Sequence, residues 1–544
     1  MDNRRDGGIS LVGWLKQAGV EHVFSVSGGP LNPIYHACSV LGLPLVHTRH
    51  EAAACFMAEA ASRVTGKAGC AAVTLGPGVT NAVTPALVAR MAGTPMLIIG
   101  AQAPTHSFER GAGMSWDPLP ILDSVTKWSA RVLDVERLPE YLDIAWRKMW
   151  AGRPGPVFLE IPIDVLSASV ESDEKLEPPA PRPRPGLCDA DRDRLLELIA
   201  GATRPIMVLG DELFWEPAER LQAAVDLHGV PFATMRLARG VLDETQELCA
   251  GPGYVPCNGA FRQALSEADC VLLMGHHFEF DLGFGAGVNK QARIIQVGSD
   301  PDLLNRNRRA GLAIHATPAS VIEVIAEAPV IAVDGDWTGG ILAAWRKEHQ
   351  AQLGDNGADG ALHPVAAIDA VCQAAPDNAI FVSSHGNVDF WADARLRMRR
   401  PGRYLRAGQS GALGAEVPYG AGARFADPDA PVIVFVGDGG VAYHVAEIDT
   451  AERYGRPFVI VVLDDELWGA IALPQERAYH ESYEMQLPRR DWVRVAEGLG
   501  GGGALARTAA EVTAAVKRAV AAARPQIVQV PVASVLSPYM DYIS

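Results

Sequence analysis

At 544 residues the chain is too long for one hydrophobic core, and three domains of ordinary size is the natural division. Its 48% hydrophobic and 21% charged composition is that of a folded globular protein. A net charge of −16, read as carrying no basic cluster, excludes the electrostatic footprint of a nucleic-acid binder. No apolar run approaches the ~20 residues of a membrane helix, so no membrane association is expected. The N-terminal stretch MDNRRDGGISLVGWLKQAGV lacks the apolar centre of a signal peptide. Eight scattered cysteines without a CxxC read as buried small residues in a reducing compartment, so a cytoplasmic location is expected.

In chain order, short β-branched runs that end in Gly or Asp alternate with Ala-rich stretches of helical period. The first group is Val23–Val26, Cys70–Leu75, Pro95–Gly100 and Pro156–Ile161. Residues 171–185, ESDEKLEPPAPRPRP, then read as an extended linker. Pro205–Gly210, Cys270–Gly275 and Ile294–Gly298 follow, and the polar, glycine-rich residues 352–364 read as a second linker. The last group is Ala379–Ser383, Pro431–Gly437, Pro457–Leu463 and Gln526–Val530, with Thr508–Glu511 (TAAE) a capping box that opens the final helix. Continuously apolar strands joined by crossover helices predict an α/β fold of three doubly wound parallel-sheet domains, at 1–170, 186–335 and 363–544.

The most specific local feature is VIVFVGDGG, residues 432–440, followed by PFVIVVLDDELWG, residues 457–469. One strand ends at Gly437-Asp438-Gly439 and the next at Asp464-Asp465, so both acidic ends should face one crevice beyond the sheet. A carboxylate there can hold a hard cation, and N–H groups of Gly439 and Gly440 at a helix start can meet phosphate oxygens. Alone, GDGG reads equally well as an ordinary strand-to-helix turn. Near the N-terminus, RHEAAACFMAEAASRVTGKAG (49–69) opens a helix with Glu51 in its first turn, and TLGPGVTN (74–81) follows a strand. A glutamate in that place ordinarily complements the helix dipole.

GDG, twenty-four intervening residues and a polar pair resembles the thiamine-diphosphate-binding motif, and residues 49–81 resemble the segment that carries the catalytic glutamate of the same enzymes. The two motifs stand in the family's order and spacing, and the likeness runs over nearly the whole chain. The chain is thus similar to the thiamine-diphosphate-dependent enzymes of the acetolactate synthase and pyruvate decarboxylase superfamily, most of all to benzaldehyde lyase and the 2-hydroxyacyl-CoA lyases. That resemblance implies pyrimidine-binding, central and diphosphate-binding domains in that order. It makes Glu51 the catalytic carboxylate, which bonds the aminopyrimidine N1′ so that N4′ can remove the C2 proton and leave a ylide. It makes Asp438, Asp465 and the Leu467 carbonyl the Mg2+ ligands. It assigns Gly386 and Asn387 to the diphosphate, Gly411 to N4′, and Leu413 to the apolar support beneath the cofactor, with Gly437, Gly439 and Gly440 also cofactor-binding. Because the glutamate and the diphosphate site of such enzymes come from different subunits, a homodimer or homotetramer is implied.

Departures from the family pattern bear mainly on the substrate. Asp464-Asp465 stands where the family has two asparagines, which adds negative charge beside a diphosphate. The loop with Gly29 and Pro30 replaces a histidine-bearing loop, and Gly113 falls where a glutamine is usual, with Trp116 near enough to fill the space. Trp468, Ala470 and Leu473 follow the metal loop and are expected pocket walls. Gly275-His276-His277 replaces the usual Gly-Ala-Arg, which argues against FAD or ADP in the central domain. His50, His385, His444 and His480 lie near site-bearing segments, and each reads as a packing residue before a catalyst. The expected activity is a lyase or carboligase that cleaves or forms a carbon–carbon bond beside a carbonyl, through a ylide and an enamine. Its substrate would be a small molecule: an aldehyde, 2-hydroxy ketone, 2-oxo acid or acyl-CoA. A 2-oxo acid decarboxylase or acetolactate-synthase-like enzyme, and a non-catalytic homologue, are the alternatives.

Overall fold

The computed structural model describes residues 6–170, 177–351, 360–383, 385–538 and 540, and its eighteen strands form three six-stranded sheets. Every strand pairs in parallel with its neighbours. The first sheet holds β1 (Val23–Ser25), β2 (Leu45–His47), β3 (Gly69–Val73), β4 (Met96–Gln102), β5 (Ser129–Arg131) and β6 (Pro156–Pro162), in the order β2-β1-β3-β4-β6-β5. The second holds β7 (Pro205–Leu209), β8 (Phe232–Thr234), β9 (Cys249–Pro252), β10 (Cys270–Met274), β11 (Arg293–Gly298) and β12 (Leu312–His315), in the order β12-β11-β10-β7-β8-β9. The third holds β13 (Ile380–Val382), β14 (Tyr404–Leu405), β15 (Val432–Gly437), β16 (Val459–Asp464), β17 (Gly502–Leu505) and β18 (Gln526–Pro531), in the order β14-β13-β15-β16-β18-β17.

All eleven runs read as strands form strands, and β3, β4, β6, β7 and β10 are buried along their whole length, as helices on both faces require. Of the two expected linkers, 171–176 and 352–359 lie outside the described residues, and 177–188 carries neither helix nor strand. The final helix runs Ala509–Val520, and its cap is the expected one: the Glu511 N–H donates to Thr508 Oγ1 at 3.3 Å. Six of the eight cysteines are buried, Cys372 is half-buried and Cys188 is exposed. Among the described residues, no helix is long and apolar enough to cross a membrane.

The first and third units meet through two helices, Glu51–Thr65 and Glu416–Ala426, whose buried faces share one core. A Cβ on Gly422 would fall 2.5 Å from the Met57 carbonyl oxygen, so a glycine is needed for this approach. Arg63 carries the junction into the central unit: it donates to the Leu237 carbonyl at 2.8 Å and lies over the Phe214 ring.

Candidate active site

Parallel register sets Gly437 of β15 beside Leu463 of β16, and Asp464 beside Pro531 of β18. The segments leaving these strands emerge together at the carboxyl edge of the third sheet, where open parallel sheets bind ligands. A cavity of about 250 Å³ lies there. Its wall contains Gly386, Asn387, Gly411, Leu413, Gly437, Asp438, Gly439, Gly440, Asp465, Leu467, Trp468 and Ala470, twelve of the residues singled out above. Gly386 and Gly411 take left-handed backbone (φ +107° and +71°), with open space where a Cβ would stand. Gly439 lies under the indole of Trp468, since a Cβ on it would fall 2.5 Å from Cζ3.

Acidic groups crowd one end of this cavity. Burial, then repulsion from Asp465 and Asp464, pushes the Asp438 carboxyl up to about 8. Burial likewise pushes Asp465 up to about 7, against a hydrogen bond from Ser534 and with Asp464 adding repulsion. Asp464 lies outside this wall: its Oδ2 accepts from Gln529 Nε2 at 2.6 Å, and it lines a separate cleft with Glu466 and Arg489. The described residues hold no cluster of three or more His, Cys, Asp or Glu suited to a metal. Two carboxylates therefore suit a hard divalent ion only when carbonyl and ligand oxygens complete the shell, as a diphosphate on the Gly439 and Gly440 N–H groups would.

Other groups brace the cavity. The Gly411 N–H donates to His385 Nε2 at 3.2 Å, and burial together with Arg406 and Arg236 keeps that ring neutral, pushed down to about 3. The Asn387 side chain is engaged at both ends, donating to the Val535 carbonyl at 2.6 Å and accepting from the Ser537 N–H at 2.8 Å. Sequence reasoning did not name Pro364, Val388, Trp391, Ile471, Val532 or Ala533 as walls. Val532 and Ala533 follow β18, which neighbours β16, so that strand order was the signal for them. Leu473 is half-buried and does not line the cavity; Ile471 does, and two further residues turn a side chain about 200° around the helix Gly469–Tyr479.

Glu51 lines no part of this cavity; it belongs to a second group at the carboxyl edge of the first sheet. Asn81 Nδ2 donates to its Oε2 at 2.9 Å, and a Cβ on Gly78 would fall 3.5 Å from its Oε1. His50 caps the same helix and stands 5.5 Å from the ring of His444, which hydrogen-bonds the Gly414 carbonyl at 2.7 Å. Gly29 and Pro30 form a turn beside Gly28, which packs on Thr74 near Gly78. Gly113 has only open space around it; Met114, next in the chain, reaches the site instead. A Cβ on Gly76 would fall 2.9 Å from the Met114 Cβ, and Met114 takes φ +61° and remains 57% exposed. Its loop is pinned where Gln102 Nε2 donates to the Trp116 carbonyl (2.9 Å) and to Glu160 (2.6 Å), and where Arg131 pairs with Glu160 and Asp117.

A third cavity, of about 420 Å³, opens where the three units meet, between Met91, Arg153, His276, Phe280, Arg306 and Gln409. His276 lies between Asp211 (3.4 Å) and Glu279 (3.1 Å), whose carboxylates hold it protonated, pushed up to about 10 against burial. Glu279 in turn accepts from Gln409, two residues before Gly411.

Three doubly wound units, with an acidic, glycine-walled cavity at the strand ends of the last, define a cofactor-binding α/β protein. Residues 5–120 match the thiamine pyrophosphate enzyme N-terminal TPP binding domain, 192–325 the central domain and 384–530 the C-terminal TPP binding domain. The chain is 30% identical to a 2-hydroxyacyl-CoA lyase 2 of Danio rerio over 92% of its own length and 86% of that protein's. It is equally similar to one of Homo sapiens, at 30% over 92% and 85%. It is 28% identical to the acetolactate synthase large subunit IlvG of Mycobacterium tuberculosis, over 95% and 94%. The chain belongs to the thiamine pyrophosphate enzyme family.

Proposed function

We propose that this protein is a thiamine-diphosphate- and Mg2+-dependent lyase or carboligase that cleaves or forms the carbon–carbon bond beside the carbonyl of a 2-hydroxyacyl-CoA or 2-hydroxy ketone. One observation carries the reading: a single cavity gathers Asp438, Asp465, Leu467 and the glycine wall, with Leu413 and Trp468 as its apolar sides. Asp438, Asp465 and the Leu467 carbonyl would hold Mg2+, and Gly386, Gly437, Gly439 and Gly440 the diphosphate. The cofactor, when bound, supplies a nucleophilic carbon and a sink for the electrons of the broken bond. Glu51 would hold and move a proton at the aminopyrimidine, and Asn81 fixes its orientation. Because Glu51 stands off the cavity of its own chain, we propose a homodimer or homotetramer in which the glutamate of one subunit serves the cavity of another. The whole-length likeness to 2-hydroxyacyl-CoA lyases favours cleavage of the C1–C2 bond of a 2-hydroxyacyl-CoA to an aldehyde one carbon shorter and formyl-CoA. The similar likeness to acetolactate synthases supports a second reading, in which a 2-oxo acid first loses carbon dioxide. A panel of 2-hydroxyacyl-CoA compounds, 2-hydroxy ketones and pyruvate, with thiamine diphosphate and Mg2+, tests both. Aldehyde release without carbon dioxide is expected; carbon dioxide from pyruvate alone would transfer the conclusion to the second reading.

A further inference from the structure

Reading the net charge as free of basic clusters passed over residues 395–406, which hold six arginines in a chain of net charge −16. Five of them, Arg395, Arg397, Arg399, Arg400 and Arg403, line a cleft of about 230 Å³, and among the described residues Asp377 is the one acidic residue in its wall. The cleft sits at the amino edge of the third sheet, beside the start of β13 and β14 and the end of the helix Asn387–Arg395. It shares no residue with the cofactor cavity at the opposite edge.

The arginines differ in what already holds them. Arg395 pairs with Asp369 at 2.8 Å and Arg403 with Asp427 at 2.7 Å, so these two form a neutralised floor. Arg397 makes no ion pair among the described residues, though the Glu244 carboxylate acts on it through space; it donates to the Glu244 carbonyl at 2.9 Å and lies over the Trp345 ring. Arg399 approaches Asp377 at 3.6 Å, but both are exposed, and such a pair holds weakly. Arg400 is exposed and makes no ion pair among the described residues. Three guanidiniums thus line the cleft without a close carboxylate partner, two of them exposed. The positive field registers on His349 behind them, pushed down to about 4 by burial and then by Arg395 and Arg397. Pro376, Phe381 and Met398 supply an apolar side to the same cleft.

We propose that this arginine cleft is a binding site for a phosphate-bearing small molecule. Planar, always-charged guanidiniums match phosphate oxygens bidentately, and three of them on one short segment suit a dianion better than a carboxylate. A volume of about 230 Å³ admits a phosphate with part of its carrier, and the apolar side would seat that carrier.

Isothermal titration of the full chain, with thiamine diphosphate and Mg2+ saturating so that the cofactor cavity is filled, tests this. Inorganic phosphate and adenosine 3′,5′-bisphosphate are the titrants, and sodium chloride at equal ionic strength is the control. Saturable binding of either titrant is expected, at least tenfold weaker in R399A/R400A and unchanged in R309A, an exposed arginine elsewhere. The tighter titrant tells a free phosphate from a nucleotide-borne one. No saturable heat, heat matched by sodium chloride, or binding retained in R399A/R400A overturns the proposal.

Discussion

Replacing Glu59 with glutamine isolates the effect of burying one carboxyl where the first and third units meet. Glu59 is fully buried on the helix Glu51–Thr65, and Thr94 Oγ1 donates to its Oε1 at 3.2 Å. Burial pushes its carboxyl up to about 7, against the opposing pull of Tyr419, Arg63 and Thr94. A carboxyl that titrates near 4.3 when unfolded and near 7 when folded is favoured in its protonated form by folding. Its contribution is therefore fully present below about pH 4.3 and is lost as pH rises through about 7, by roughly 4 kcal/mol. The glutamine would keep the shape and stay neutral at every pH. At pH 5 parent and variant should differ by no more than about 1 kcal/mol, because Glu59 is then neutral in the folded chain. At pH 8 the variant should be more stable by roughly 4 kcal/mol, read as a higher urea midpoint and melting temperature. An equal gap at the two pH values, or a less stable variant at pH 8, would refute the assignment of a raised carboxyl to this site.

Glu51→Gln should leave thiamine diphosphate bound, by quenching of tryptophan fluorescence, while turnover falls at least a hundredfold; near-normal turnover would reject its proton-handling role. Asp465→Asn removes one negative charge beside the expected diphosphate and should tighten the cofactor severalfold in a titration with Mg2+ present, so clearly weaker binding counts against the charge argument. Gly439→Ala would drive a methyl into the Trp468 ring, and cofactor affinity should fall about tenfold or more with little change in melting temperature. Met114→Gln places an amide over Gly76, beside the Glu51 group. Relative kcat/KM should shift about tenfold toward substrates with a polar group next to the carbonyl, and an unchanged ratio would remove Met114 from the substrate side.

The strands that were legible in the sequence are the central ones, and the reason is burial. Runs such as Pro95–Gly100 and Cys270–Gly275 are apolar throughout because helices cover both faces of the strand. All six edge strands, β2, β5, β9, β12, β14 and β17, went unread: each pairs on one side only and is two to four residues long. Inner β8 was missed too, being just Phe232–Thr234. The site divides in the same way. Residues at strand ends could be placed in one crevice from sequence alone, because parallel strands deliver their ends to one edge. Met114 could not, since its approach to Gly76 depends on a loop held by Gln102, Glu160 and Arg131, residues from β4, β6 and β5.

The acidic pair divides between two places in the structure. The resemblance puts the added negative charge beside the diphosphate at Asp465, the second position of the pair. Asp464 ends β16, and side chains of successive residues on a strand leave on opposite faces. Its carboxylate is accordingly held by Gln529 in a different cleft, and Asp465 alone enters the cavity wall. Asp464 still raises Asp438 and Asp465 through space, but its side chain lies outside their cavity wall. The departure thus amounts to one charge at one position of the cavity wall, which a divalent cation held there would offset directly. A metal dependence steeper than that of an asparagine-bearing relative is the property this substitution should confer.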